Sequence, residues 1–414
     1  MFEYLTFIAT AVSLAGYLLF AKRKVDIFLV AGFSALLFSA PLFYGVVTGP
    51  PGYPDMVIEW EVYLTFILLF TALLISTVIN DTSLSTRRLD VEYVTVADLR
   101  LGRKIGRTFF IIWLYLLYYI LTDFGIQLLY GVSKRTILDS LGAELVLLTY
   151  TSIITATCLI VFYGNIGRLL ACAILALMLM IGERTPIALS GISVLLILGR
   201  KWPKKSLLVQ HNKTTPLLLL GSIIFLSLLK PLYSIFKIHG LKSMLNYITF
   251  ENYVDLISKG AEFISTQYQF NTIVRYMFKT DGMHILRGPL SFIPIPRVWY
   301  TTPSSEYNDI FQPSLFPDIT YGMAYNPFAE FYAGAGIAGI VMYISIYIFS
   351  IFILNQLIKK RRISSAVLFA MIGSLVAFYS YRNSFAVSFG FIRNIFWPYI
   401  AVWLFYARFF SAHY

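Results

Sequence analysis

Long apolar runs dominate the chain. Runs near the roughly 20 residues that a bilayer requires occur at about 3–20, 25–47, 60–79, 108–128, 143–163, 216–233, 328–352, 363–381 and 385–410. Two shorter runs, 167–181 and 186–199, flank Glu183-Arg184. The pattern predicts about eleven transmembrane helices and an all-α integral membrane protein. Residues 80–107 mix Arg87, Arg88, Asp90, Glu92 and Asp98 without a sustained apolar run, and read as a solvated linker. The segment 234–326 is different. It joins amphipathic stretches (241–250 and 253–280) to an irregular part rich in proline and aromatics, from Pro289 to Pro317. That content argues against disorder, and long loops of this kind are usually functional. It reads as a packed cap. The chain then divides into 1–233 with eight helices, the large loop 234–326, and 327–414 with three helices.

Composition agrees. Of 414 residues, 58% are hydrophobic and 13% charged, against roughly 45–50% and about 25% in soluble domains. The net charge of +12 raises nucleic acid as a partner, but the placement of the cations answers it. Of 33 Lys and Arg, 20 fall on one side of the predicted membrane and 13 on the other, eight of these between Lys230 and Arg297, in the long loop and at its start. Setting the long loop aside, the 20-to-5 split makes the first side cytoplasmic. The N-terminus then lies outside, the C-terminus inside and 234–326 outside, and no nucleic acid is needed to explain the charge. The first run has no basic segment before it and carries Lys22, Arg23 and Lys24 after it, which suits a retained span. Cys158 and Cys172 both lie in apolar runs, so neither a disulfide framework nor a thiolate metal site is expected. There is no Asp-x-Asp, His-x-x-x-His, Walker loop or Gly-x-Ser-x-Gly elbow, so metal-held nucleotide sugars, ATP and serine hydrolysis find no support.

Four constellations carry candidate chemistry. In Gly182-Glu183-Arg184-Thr185-Pro186, Thr185 suits an N-cap and Pro186 the first helical position. Short apolar segments around a Gly/Pro break point to a recessed site, where Arg184 and helix N–H groups favour an anion. The plainer reading is a tight turn whose charges snorkel to water. Arg382 and Arg393 are eleven residues apart, close to three helical turns, which puts Arg393 about 16 Å deeper on the same face. An arginine at that depth needs a cavity or a carboxylate partner such as Asp123 or Glu144. The loop supplies Arg275, Lys279, His284, Arg287 and Arg297, the last two bracketing Gly288-Pro289 and Pro294-Ile295-Pro296. Finally, Asn326-Pro327 opens a helix with Glu330 in its first turn, either complementing the helix dipole or acting as a general base. The following Gly334-x-Gly336-x-x-Gly339 reads as small residues that allow close helix packing.

Taken together, the plan resembles the bacterial O-antigen polymerase (Wzy) family of oligosaccharide repeat-unit polymerases. Residues 180–199 are similar to its Arg-bearing hairpin, with Glu183 in the place usually held by Ser. Residues 270–317 look like its loop signature, and 326–339 like its Glu-x-Tyr-x-x-x-Gly-x-x-Gly element, here Glu330, Tyr332, Gly336 and Gly339. The resemblance implies a C-type glycosyltransferase-like membrane fold in the bacterial inner membrane. It implies polymerisation of undecaprenyl-diphosphate-linked repeat units at the periplasmic face, by inverting transfer without metal or cofactor. In that picture Glu330 and Arg184 are catalytic, and Arg275, Arg287, Arg297, Tyr332, Arg382, Arg393 and His284 bind substrate. Membrane lipid, a chain-length regulator and a flippase are the implied partners. Two rivals stand beside it. An O-antigen ligase, passing the glycan to lipid A core, is expected to use a loop histidine, for which His284 is the candidate. A flippase or transporter of lipid-linked saccharides is expected to line several spans with polar residues and to lack a cap.

Overall fold

A computed structural model describes residues 2–20, 25–50, 52–83, 95–128, 134–199, 240, 242, 262–294, 311–319 and 326–410. Helices α1 (Phe2–Phe20), α2 (Ile27–Ser39) and α3 (Trp60–Ser83) pack together, with a two-stranded antiparallel ribbon, β1 (Val46–Val47) and β2 (Met56–Val57), between α2 and α3. Helices α4 (Val96–Phe124), α5 (Lys134–Phe162) and α6 (Gly164–Ile181) form a second group around Trp113, Leu117, Leu145, Leu148, Ala171 and Met178. Helix α7 (Thr185–Gly199) follows, then α8 (Glu262–Arg275) and α9 (Met283–Arg287). Three helices close the chain, α10 (Pro327–Lys360), α11 (Ile363–Ser374) and α12 (Phe385–Phe410). Helix α7 packs on α5 and α11, which joins the second group to the closing helices.

Among the described residues, seven helical segments are long and apolar enough to cross a membrane: Ile27–Tyr44, Trp60–Asn80, Val96–Phe124, Ser140–Phe162, Gly164–Ile181, Pro327–Lys359 and Phe385–Arg408. The protein is helical and of membrane type. These segments fall on seven of the eleven predicted runs. Two others, Thr185–Gly199 and Ile363–Tyr379, are shorter apolar helices. The first run forms the 19-residue α1, and 216–233 lies outside the described residues.

The polar segment 80–107 departs from its reading as a linker. Residues 84–94 lie outside the described residues, but α4 starts at Val96, capped by the Thr95 side chain, which accepts from Asp98 N–H at 3.2 Å. Its buried face runs Asp98, Gly102, Ile105, Gly106, Phe109 and Trp113, at helical spacing. Asp98 is 5% exposed and accepts from both the backbone N–H and the hydroxyl of Ser364 at the start of α11. Tyr399 of α12 donates to Ser364 O at 2.7 Å. One carboxylate thus ties the starts of α4 and α11, and α12 is bonded to the same serine. Arg100, Arg103 and Arg107 are exposed on the other faces of the helix.

The described part of the segment 234–326 packs onto the helices. Helix α8 lies against α2, α3 and α10. Asn271 grips the chain after β2 through both polar atoms: its Oδ1 accepts from Glu59 N–H at 2.7 Å and its Nδ2 donates to Val57 O at 3.0 Å. Tyr268 donates to Pro54 O at 2.9 Å. Burial pushes the Tyr268 phenol up to about 12, so it remains a donor across the physiological range.

Candidate functional site

The site begins with the break between α6 and α7. Gly182 ends α6 in the left-handed region (φ 102°), where its N–H reaches Leu179 O and the Glu183 N–H reaches Met178 O at 2.8 Å. That pairing closes the helix C-terminus and requires a residue tolerant of positive φ. Arg184 O then accepts from Ala188 N–H at 3.2 Å, the first intrahelical bond of α7. The N-cap position therefore belongs to Arg184 and not, as the sequence suggested, to Thr185. The Thr185 hydroxyl is turned elsewhere: it shares a 2.7 Å hydrogen bond with Tyr379 OH. Glu183 is buried and Arg184 half-buried.

Tyr379 ends a widened π-helical turn, Leu375–Tyr379, that continues α11. Such turns leave backbone groups without their usual partners, and here phenols of α10 supply them. Tyr347 donates to Ala377 O at 3.3 Å and Tyr343 to Ser380 O at 2.9 Å. The chain then turns through 380–384 before α12 begins at Phe385. Arg382 sits in that turn, with its guanidinium 5.1 Å from the centre of the Tyr379 ring, within cation–π range. This corrects the expected register. Ser384 caps α12 by accepting from Val387 N–H at 3.2 Å, so Arg382 lies before the helix and the three-turn spacing from Arg393 does not apply.

Arg393 still reaches the same neighbourhood. It is half-buried on α12, its Nε donating to Asn394 Oδ1 at 3.2 Å. Tyr150 of α5 hydrogen-bonds Asn394 and lies within electrostatic reach of Tyr379, Glu183 and Arg393. Among the described residues, neither Asp123 nor Glu144 pairs with Arg393. Tyr150 and Tyr379 thus link the Glu183-Arg184 break, the Arg382 turn and Arg393 into one cluster, walled by Phe391, whose ring centroid is 5.6 Å from that of Tyr150. The sequence reading missed Tyr150, Tyr379 and Asn394. No local pattern singles them out: Tyr150 sits among Thr149, Thr151 and Ser152, Tyr379 beside Ser380, and Asn394 beside Arg393.

Glu330 lies on the far side of the same turn. It is 1% exposed, and its Oε2 accepts from Phe385 N–H at 2.7 Å. The loop follows the turn closely. A Cβ at Gly288 would come within 2.7 Å of the Phe385 ring, and Trp397 donates to Phe292 O at 2.9 Å, so Gly288–Phe292 runs beside α12. Arg287, exposed at the end of α9, is carried to the end of α12 nearest Arg382. Arg275 instead turns toward Glu59, at 3.9 Å with both side chains partly exposed. Tyr332 packs edge-on to Phe270, in the contact between α10 and α8. The backbone of His284 belongs to α9, while its side chain, like all of Arg297, lies outside the described residues. Gly336, expected to serve close packing, is a kink in α10 at φ 61°, ψ −144°, a conformation that favours glycine.

Among the described residues, no group of three or more His, Cys, Asp or Glu gathers in a way that would hold a metal ion. Comparison with protein-family models, with curated proteins and with solved structures gives no match to this chain.

Proposed function

We propose that the protein is a polysaccharide polymerase of the bacterial inner membrane. In this reading, eleven transmembrane helices and a large periplasmic loop handle undecaprenyl-diphosphate-linked repeat units at the periplasmic face, extending O-antigen or a related surface polysaccharide by glycosyl transfer. The observation that carries the reading is the convergence of the Arg184 segment, Arg382 and Arg393 about Tyr379 and Tyr150, under a packed loop. Breaking a sugar–diphosphate bond places growing negative charge on the diphosphate. Arginines held by aromatic and amide neighbours supply preorganised donors to it. They do so in place of a metal.

The acceptor hydroxyl must lose its proton to a carboxylate. The resemblance points to Glu330, but its contact with Phe385 N–H favours a positioning task, holding the Arg382 turn. Glu183, beside Arg184 and within reach of Tyr150, is the carboxylate that we assign as base. Arg287 and Arg297 of the loop would guide the lipid-linked substrate, with Arg275, His284 and Tyr332 farther along its path.

Incubating the purified protein with lipid-linked repeat units tests this. A ladder of longer saccharides supports the polymerase. Transfer only to lipid A core would make it a ligase, and transport without covalent product a flippase.

A further inference from the structure

We propose that the groove between α3 and α10 binds an anionic phospholipid, with an acyl chain in the groove and the headgroup at the basic end of α10. The groove has a volume of about 300 Å³ and is lined by Ala72, Ser76 and Ile79 of α3 and by Ser345, Phe349 and Phe352 of α10. Ile79 is 53% and Phe349 64% exposed. Both helices are long and apolar enough to cross a membrane, so this face opens to hydrocarbon.

One turn beyond Phe352 the chemistry changes. Gln356 Nε2 donates to Asn80 Oδ1 at 2.9 Å, and Asn355 Nδ2 to the same oxygen at 3.4 Å. Gln356 Oε1 is buried without a hydrogen-bond partner, and buried acceptors in native proteins are normally satisfied. The sequence then runs Lys359-Lys360-Arg361-Arg362, with Arg361 and Arg362 exposed. Lys360 follows Phe352 by eight residues, about 12 Å along a helix, a headgroup's distance above a chain lying in the groove. The exposed pair Arg361 and Arg362 at the end of a span attracts net negative lipid. A glycerol headgroup adds hydroxyl donors for Gln356 Oε1. Charge complementarity therefore selects phosphatidylglycerol over a zwitterionic lipid. The inference is independent of the polymerase reading and of which leaflet the basic end faces.

Native mass spectrometry of the full chain in detergent tests it, with phosphatidylglycerol, phosphatidylcholine and undecaprenyl phosphate added separately. One equivalent of phosphatidylglycerol should be retained, with phosphatidylcholine bound about tenfold more weakly. Ser345→Trp, at an exposed position in the groove, and the double change Arg361→Gln/Arg362→Gln should each weaken phosphatidylglycerol binding about tenfold. The Gln pair lies at exposed sites and keeps the test valid if the Trp variant misfolds. Equal retention of the two phospholipids, or unchanged retention in the Gln pair, overturns the proposal. So does a stronger retention of undecaprenyl phosphate than of phosphatidylglycerol that is lost in Ser345→Trp.

Discussion

Phe385 N–H donates to Glu330 Oε2 at 2.7 Å, so a side chain at the start of α10 closes the start of α12. The first N–H groups of a helix have no partner within it. Here two are met, one by Glu330 and one by Ser384, which accepts from Val387 N–H. The turn that carries Arg382 is held between these two contacts.

Replacement of Glu330 separates anchoring from proton transfer. Glutamine keeps an oxygen for Phe385 N–H, so Glu330→Gln should accumulate and stay within about tenfold of normal rate, since the acceptor is retained. Glu330→Ala leaves the N–H unpaired and should cost about 1.5–3 kcal/mol in stability. Glu183→Gln should lose ~10²–10⁴ in turnover, as expected for a lost general base. A folded, inactive Glu330→Gln beside an active Glu183→Gln would return the base to Glu330.

The Thr185–Tyr379 bond is the direct link between the α6–α7 break and the Arg382 turn. Tyr379→Phe removes the hydroxyl but keeps the ring beneath Arg382. We expect a three- to tenfold loss in kcat/KM, about the value of one neutral hydrogen bond, with normal thermal stability. Tyr379→Leu should lose considerably more, because the cation–π contact goes too. Equal activity in all three proteins would remove Tyr379 from the site.

Docking of α8 depends on Asn271. Its replacement by Ala removes the partners of Glu59 N–H and Val57 O, at about 0.5–1.5 kcal/mol for each lost hydrogen bond. Limited proteolysis should then cut within 262–294 sooner than in the parent protein, while Tyr268→Phe has a smaller effect. Unchanged protection in Asn271→Ala would show that apolar contacts alone hold the helix.

Orientation is checked by labelling. In a background with Cys172 replaced by Ser, cysteines at Ser304 and Ser314 should react with an impermeant thiol reagent from the periplasmic side, and one at Ser85 should not. Labelling of the Ser85 position from outside would invert the topology.

Much of this architecture is legible in the chain because apolar runs of spanning length have few alternatives to a membrane helix. The break at Gly182 was readable for a similar reason: a glycine between two helical periods marks a C-terminus. Helix registers near polar residues were harder. Asp98 looked solvated because its partner, Ser364, is 266 residues away, and no local pattern announces such a contact. Arg382 was placed on α12 because hydropathy does not register a capping serine, and Ser384 shifts the helix start past it. The cluster around Tyr379 was out of reach for another reason. It is assembled from α5, the α6–α7 break, the end of α11 and α12, and the spacing within any one segment says nothing about tertiary contact.

Arginines holding the diphosphate are the centre of the mechanism, and one assay reaches them directly. Purified wild-type protein, Arg184→Lys and Arg393→Lys are each given lipid-linked repeat units, with and without chelator, and the saccharide ladder is measured. Lysine keeps the charge but loses the guanidinium fork, which is not a conservative exchange at a bidentate site. The wild-type ladder should form equally with chelator present, and both lysine variants should give none while accumulating normally. A full ladder from Arg184→Lys and Arg393→Lys, or one abolished by chelator in the wild type, would contradict the mechanism.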